Sequence, residues 1–362
     1  MRIALLSTSA VPLPPPGYGG TELVTAELAK MLTRLGHDVT VFATGDSSSE
    51  ANLSWHFPTA QWPPDDLLEL RHAASAWRII ASADPSFDVV HAHHPCAIPF
   101  GSVCAVPTVL TLHNARDERW VRYLKQFDEV TYVAISRRQA DLYPELGVRH
   151  VVHHGIDDEV YEVGSGEGGW LAFVGRLARE KGPHIAIDVA RATGIALRMG
   201  GQAHPQNRAF FESEVAPRLL AAGDLVEWDG EAFFGRKLDM FRGARATLFP
   251  IAWEEPFGLV MIESMLVGTP VIAFPRGAAP EVVEDGVTGF LVHDEAEMIE
   301  KVRAVGALDR GRCSEVARQR WTSRRMAQDY VGVYEQAIAG ASVGRSFLVT
   351  DAPRGEAERA SR

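Results

Sequence analysis

Trp253-Glu254-Glu255-Pro256-Phe257-Gly258-Leu259-Val260-Met261-Ile262-Glu263 reads as a loop that runs into a core helix. It follows a short apolar run, Ala246-Thr247-Leu248-Phe249-Pro250, bounded like a buried strand. It leads into residues 259–267, which have the apolar density of a core helix. Pro256 and Gly258 do not sit comfortably inside a helix, so Glu255 belongs to the loop before it. The amides of Phe257, Gly258 and Leu259 then point out of a helix N-terminus, where phosphates and sugar hydroxyls are held. Glu263 comes one turn into that helix. With Glu255 in the loop, both carboxylates can reach one ligand. The plainer alternative is a helix start with acidic residues placed favourably near its dipole.

A second stretch, Gly175-Arg176-Leu177-Ala178-Arg179-Glu180-Lys181-Gly182, lies upstream between a strand pattern and a helix pattern. Two fixed cations in one loop suit a diphosphate, Arg as a fork and Lys as a mobile point charge. Each charge-assisted bond contributes roughly 1.5–3 kcal/mol. A charged surface loop is the alternative for this stretch taken alone. Taken together, the two motifs resemble the retaining glycosyltransferases of the two-Rossmann-domain (GT-B) type, and within them family 4, the glycosyl transferases group 1. The resemblance runs over roughly residues 2 to 340.

The rest of the chain alternates strand and helix patterns. Residues 3–7 read as a buried parallel strand without polar alternation. The loop Val11-Pro12-Leu13-Pro14-Pro15-Pro16-Gly17-Tyr18-Gly19-Gly20 and a helix to about Leu35 follow. This is not the Gly-x-Gly-x-x-Gly of a dinucleotide site. Gly19 and Gly20 can let the backbone approach an anionic group, although a stiffened turn is the plain reading. In the resembled family the matching loop faces the donor diphosphate across the cleft.

Strand patterns recur at 38–43, 88–93, 108–113, 130–136 and 150–154, with helical stretches between several of them, notably 65–81. After a Gly-, Glu- and Ser-rich linker at 162–169, strands are expected at 170–174, 197–199, 225–228, 246–249, 270–274 and 289–292. Such alternation predicts α/β domains with parallel doubly wound sheets, which bind ligands at their carboxyl edges. The expected organisation is an acceptor-side Rossmann-like domain over 1–161 and a nucleotide-sugar domain over 170–320, facing across a cleft. A helix over 321–340 should cross back to the first domain. The segment 341–362, polar and small in character, is expected to be disordered. Gly200 and Gly201, at the end of one strand, belong by analogy to the nucleotide pocket.

Composition narrows the partners. The 362 residues carry a formal charge of −11, and neither half is net basic, which argues against nucleic acid. Only Cys96, Cys104 and Cys313 are present, without Cys-x-x-Cys spacing, so a reducing cytoplasm is the expected location. No stretch reads as a signal peptide or membrane span. The segment Arg116 to Phe127 is amphipathic. Similar enzymes use such a helix to meet an anionic acceptor or a lipid surface, but Asp117, Glu118, Asp128 and Glu129 dilute its charge toward a plain solvated face.

His91, His93, His94 and His113 cluster at strand ends. A metal cluster is one reading, but no carboxylate or cysteine stands at a familiar ligand spacing. Cleft-lining histidines are the favoured reading, and His113, in Thr111-Leu112-His113-Asn114, matches the family's active-site histidine. A structural histidine remains the alternative.

The resemblance implies hexosyl transfer from a nucleoside-diphosphate sugar, with UDP-sugar the expected donor and no cofactor. Arg176 and Lys181 would stabilise the departing diphosphate, Glu255 the sugar hydroxyls and Glu263 the ribose. The amides of Phe257, Gly258 and Leu259 would bind sugar and phosphate oxygens. Front-face attack is implied, with the donor phosphate accepting the acceptor's proton. No Asp-x-Asp occurs, so a metal-independent reaction is expected. A nicotinamide dehydrogenase would share the sheet but lacks its glycine fingerprint here. A non-catalytic sugar-nucleotide-binding protein would be expected to lose His113 or Glu255, and both are present.

Overall fold

The computed structural model describes residues 1–350 apart from Tyr18, Ala105, Asp229 and Ala232, and only the backbone from 342 to 350. Two all-parallel sheets are present. The first contains β1 (Arg2–Leu6), β2 (Asp38–Ala43), β3 (Asn52–Trp55), β4 (Val89–Ala92), β5 (Thr108–Leu112), β6 (Thr131–Ala134) and β7 (His150–Val151). Its order is β3-β2-β1-β4-β5-β6-β7. The second contains β8 (Leu171–Val174), β9 (Leu197–Gly200), β10 (Val226–Trp228), β11 (Ala246–Phe249), β12 (Val271–Ala273) and β13 (Gly289–Leu291), in the order β10-β9-β8-β11-β12-β13.

The strand order reverses between β1 and β4 in one sheet and between β8 and β11 in the other. A crevice opens at the carboxyl ends of such strands. The loops that leave β1, β4, β8 and β11 carry Gly19-Gly20, His93, Arg176 and Glu255 respectively. Topology alone therefore gathers most of the candidate residues. This is the α/β GT-B architecture expected from the sequence.

The central strands are apolar on both faces because helices cover both. Ile3, Ala4, Leu5, Val89 and Val90 are wholly buried, as are Leu171, Ala172, Leu197 and Ala246. β3 was not foreseen. It is a four-residue edge strand, Asn52-Leu53-Ser54-Trp55, with exposed ends, and so lacks the apolar run that marks its neighbours.

Helix α1 (Gly20–Arg34) starts at Gly19, whose φ is 154°, and buries Val24, Leu28, Ala29 and Leu32 against the first sheet. Helix α2 (Asp66–Ala81) is capped by Asp65, whose side chain accepts from the amides of Leu67 and Leu68.

The chain crosses between the domains twice. Residues 162–169 form the first crossing, fastened along the second domain by Gly164 N to Val267 O (2.9 Å) and Gly166 N to Arg242 O (3.1 Å). The second is at Trp321-Thr322, where Ile156 N donates to Trp321 O (3.0 Å) and Ser323 N to Ile156 O (2.8 Å). Gly155 is needed there, because a Cβ would lie 2.1 Å from Thr322 O.

The helix Ser323–Thr350 then lies on the first domain and inserts Met326, Tyr330, Val333 and Tyr334 into the core around α1 and β1. It starts two residues later than expected, since Trp321 and Thr322 make the crossing. It also runs through 341–350, where disorder was expected, because no proline interrupts that run. Residues 351–362 of the expected tail lie outside the described residues. No described helix is long and apolar enough to cross a membrane.

Candidate functional site

The loop after β8 turns sharply, with Gly182 at φ 73° and Gly175 N bonded to Gly200 O at 2.9 Å. Gly201 is required by this packing: a Cβ on it would lie 1.8 Å from Gly175 O. Gly200 and Gly201 thus hold the Arg176 loop in place, a role that spacing alone did not reveal. Arg176 is largely buried, 3.4 Å from Glu180, and its Nε has no partner among the described residues.

Lys181 Nζ donates to Glu255 Oε2 and sits 4.6 Å from the centre of the Trp253 ring. Trp253 Nε1 donates to the same carboxylate oxygen at 2.7 Å. From sequence alone Lys181 and Glu255 have separate duties, whereas the structure joins them. An ammonium has three donors, so Lys181 can keep Glu255 and still bond a phosphate.

Glu263 is treated the same way. Its Oε1 accepts from Lys237 Nζ at 2.5 Å and Tyr161 OH at 3.3 Å, and the residue is 1% exposed. Each carboxylate is therefore fixed through one oxygen by a lysine and an aromatic donor. Among the described residues nothing bonds the other oxygen of either. Lys237 and Tyr161 carried no sequence signal: one lies on an ordinary basic helix (Phe234–Gly243), the other at the domain boundary.

The helix Leu259–Leu266 begins at Gly258, φ 90°, and Phe257 is buried beneath it. No described group accepts from the amides of Phe257, Gly258 or Leu259. Gly277, φ 55°, closes over this loop, because a Cβ there would lie 2.2 Å from both Glu255 N and Glu255 O. Ala278 N donates to Glu255 O at 2.9 Å.

The first domain meets this motif directly. A Cβ on Gly20 would stand 3.5 Å from Leu259 Cδ1, and one on Gly17 would run into the Glu231 carboxylate at 2.3 Å. His113 is half-buried at the end of β5, stacked 5.4 Å from His154, whose ring lies 5.1 Å from Phe257. His113 and the loop motif thus touch one aromatic column. Arg138 bonds Glu254 through two contacts of 2.8 and 2.9 Å across the cleft. Both side chains are more than one-third exposed, so this bridge contributes no more than about 1 kcal/mol.

Glu281 makes the better-buried tie, accepting from the amides of Arg137 (2.8 Å) and Arg138 (2.7 Å) and from His153 Nε2 (2.9 Å). Burial pushes the Glu281 carboxyl up, but these bonds outweigh it and hold the group below its ordinary range.

The amphipathic segment after His113 is helical over Glu118–Leu124, and its arginines are engaged locally. Arg116 pairs with Glu118 and Glu145, and Arg119 with Asp66. That favours the plain solvated face.

Asp66, His94 and Cys96 bring potential metal-ligating atoms within 4.8 Å of one another. Asp66 is already engaged by Arg119, and burial pushes the Cys96 thiol up to about 12, where it stays protonated. A cavity of about 460 Å³ beside the site, lined by Ile251, Ala252, Phe274, Pro275, Arg276 and His293, includes neither of the paired carboxylates.

Six histidines are held neutral by burial. His72 and His94 are lowered to about 4, His91 and His113 to about 3, and His93 and His154 well below their ordinary value. An unfolded imidazole titrates near 6.5, so below that pH the unfolded chain binds more protons. Their contribution to stability is full above that pH and is lost as pH falls toward the folded values. Glu22, Glu27 and Glu69 (about 7) are raised by burial and act oppositely. The lowered histidines outnumber the raised carboxylates, so stability is expected to fall as pH drops from 6.5 to 5. Urea titrations at pH 7, 6 and 5 measure it.

Residues 18–160 match the model of Glycosyltransferase Family 4, and residues 164–320 match that of Glycosyl transferases group 1. The chain belongs to the group 1 glycosyltransferases of GT-B fold, and it is an enzyme that transfers sugar from a nucleotide sugar. It is 28% identical to D-inositol 3-phosphate glycosyltransferase of Acidothermus cellulolyticus over 93% of this chain and 91% of that one. It is also 28% identical to alpha-maltose-1-phosphate synthase of Mycobacterium tuberculosis, over 82% and 86%. Among solved structures, sucrose-phosphate synthase from Thermosynechococcus elongatus superposes with a TM-score of 0.78 at 19% identity, covering 94% and 100% of the two chains. Anabaena HepE in complex with UDP-glucose does so at 0.73 and 20%, covering 93% and 100%.

Proposed function

We propose that this enzyme is a retaining hexosyltransferase that uses a UDP-sugar donor and needs no divalent metal. The observation that carries the reading is the pair of clamped carboxylates, Glu255 and Glu263, flanking a helix N-terminus whose amides have no described acceptor. Arg176 and Lys181 stabilise charge on the leaving diphosphate, helped by those amides and by the Gly19-Gly20 backbone opposite Leu259. The open oxygen of Glu255 holds sugar hydroxyls, and that of Glu263 the ribose. His113 lies beside the transferring sugar.

The acceptor hydroxyl attacks the anomeric carbon on the face the diphosphate leaves. Its proton passes to a donor phosphate oxygen as the anomeric C–O bond breaks, so no enzymic carboxylate forms a covalent intermediate, unlike the retaining hydrolases. UDP and UDP-glucose complexes of HepE support the choice of base. The three unpaired cysteines are in keeping with a cytoplasmic location.

A thermal-shift panel tests the donor. A UDP-hexose at 100 times its dissociation constant should add about 2.7 kcal/mol of stability, with GDP- and ADP-sugars adding less. Equal shifts from all three would remove the preference for UDP. D-Inositol 3-phosphate, for which one relative is named, is the first acceptor to add to the panel.

A further inference from the structure

His113 does not stand alone in the cleft wall. Behind it the imidazoles of His91, His93 and His113 follow one another, with ring centres 4.2 and 5.1 Å apart, and His154 stacks on the far side of His113. His91 is fixed at both nitrogens, Nδ1 to Tyr334 OH (2.8 Å) and Nε2 to Thr111 Oγ1 (2.7 Å). Thr111 in turn meets Tyr330 OH at 2.8 Å, so the closing helix buttresses this wall.

His93 is the informative member. Its Nδ1 lies 2.8 Å from His113 Nε2, and its own Nε2 is buried without a partner among the described residues. His93 is 3% exposed, and burial keeps both rings neutral.

Two neutral imidazoles at that distance share one proton in their bond, and the direction decides both tautomers. If His113 donated, His93 would carry its proton on Nε2, where nothing accepts it. A buried N–H without an acceptor is among the rarest features of native structures, whereas an unpaired lone pair is tolerated more often. The proton of His93 therefore sits on Nδ1 and points at His113 Nε2. His113, accepting there, must carry its own proton on Nδ1, which no described group bonds.

We infer that His93 is a positioning residue that locks His113 in the Nδ1–H tautomer, so that the cleft is presented with an N–H donor rather than a basic lone pair. The inference rests on the reading of His113 as the residue beside the transferring sugar. It gives that residue a chemical character: His113 donates a hydrogen bond to a sugar oxygen and does not take the acceptor's proton. This agrees with the donor phosphate as the proton's destination.

The test is the ring ¹⁵N spectrum of the full-length protein labelled at histidine, at pH 7, with His113 assigned by its loss in His113→Gln. The expected result is His113 as the Nδ1–H tautomer. In His93→Leu it should leave that form, and kcat should fall by about tenfold or more with the donor KM little changed. His93→Asn can place an amide N–H where Nδ1–H stood, and should recover both the tautomer and most of the lost turnover.

Finding His113 as Nε2–H in the unmodified protein overturns the inference, and needs no variant to fold. So does an unchanged tautomer in His93→Leu. Normal transfer by His113→Gln would instead strike at the role given to His113, leaving the tautomer result intact, so the two failures are distinguishable.

Discussion

Arg176→Ala should lower turnover by about 10²–10³-fold, the loss seen when one preorganised donor is removed from developing transition-state charge. Its melting temperature should hardly move. Among the described residues its ion pair is a long 3.4 Å contact with Glu180 and its Nε has no partner, so its loss breaks no short buried bond. Lys181→Ala is a different experiment. Lys181 and Glu255 are buried together, with side chains 17% and 11% exposed, so removing the lysine strands a buried carboxylate. Breaking such a pair costs about 3–5 kcal/mol. Lys181→Ala should therefore lose stability as well as activity, although from sequence alone its loop reads as an exposed one. Steady-state kinetics and thermal melts on both variants check this, and a folded Arg176→Ala of normal activity would falsify the diphosphate role.

Deleting the chain from Trp321 onward should leave no folded enzyme. Trp321, Met326, Tyr330, Val333 and Tyr334 are each 4% exposed or less. Burial of such side chains stabilises by roughly 1.5–3 kcal/mol apiece. The five together are comparable to the 5–15 kcal/mol that separates a typical native state from its unfolded ensemble. The deletion also strips the hydroxyls from His91 and Thr111 behind His113. Circular dichroism of the truncated protein is the check. A native-like spectrum with a cooperative melt would contradict the closing role given to this helix.

Much of this architecture was legible in the sequence because it depends on local pattern. Strands apolar on both faces announced parallel sheets, and Pro256 and Gly258 placed Glu255 outside its helix. The loops after β1, β4, β8 and β11 then converge for topological reasons, so naming the strands came close to naming the site. What could not be read are the pairings between distant residues. Nothing near Lys237 or Tyr161 distinguishes them from surface neighbours, yet they hold Glu263 from 26 and 102 residues away. The same holds for Arg138 on Glu254 and for Glu281 on the Arg137 and Arg138 amides.

Gly201 belongs by analogy to the nucleotide pocket, and the structure adds that it makes room for the Gly175 carbonyl. A glycine signals close approach without saying what approaches. Strand β3 was missed because an exposed edge strand has no buried face to print a pattern.

In the proposed reaction Arg176 and Lys181, rather than a divalent ion, carry the charge of the departing diphosphate, and departure and attack share one face of the sugar. Proton NMR of the reaction in progress, with UDP-glucose as donor and excess EDTA present, measures both parts at once. The expected result is an undiminished rate and a newly formed product that keeps the donor's α-anomeric configuration. A β-configured product, or a reaction that stops with EDTA and resumes with Mg²⁺ or Mn²⁺, would contradict it.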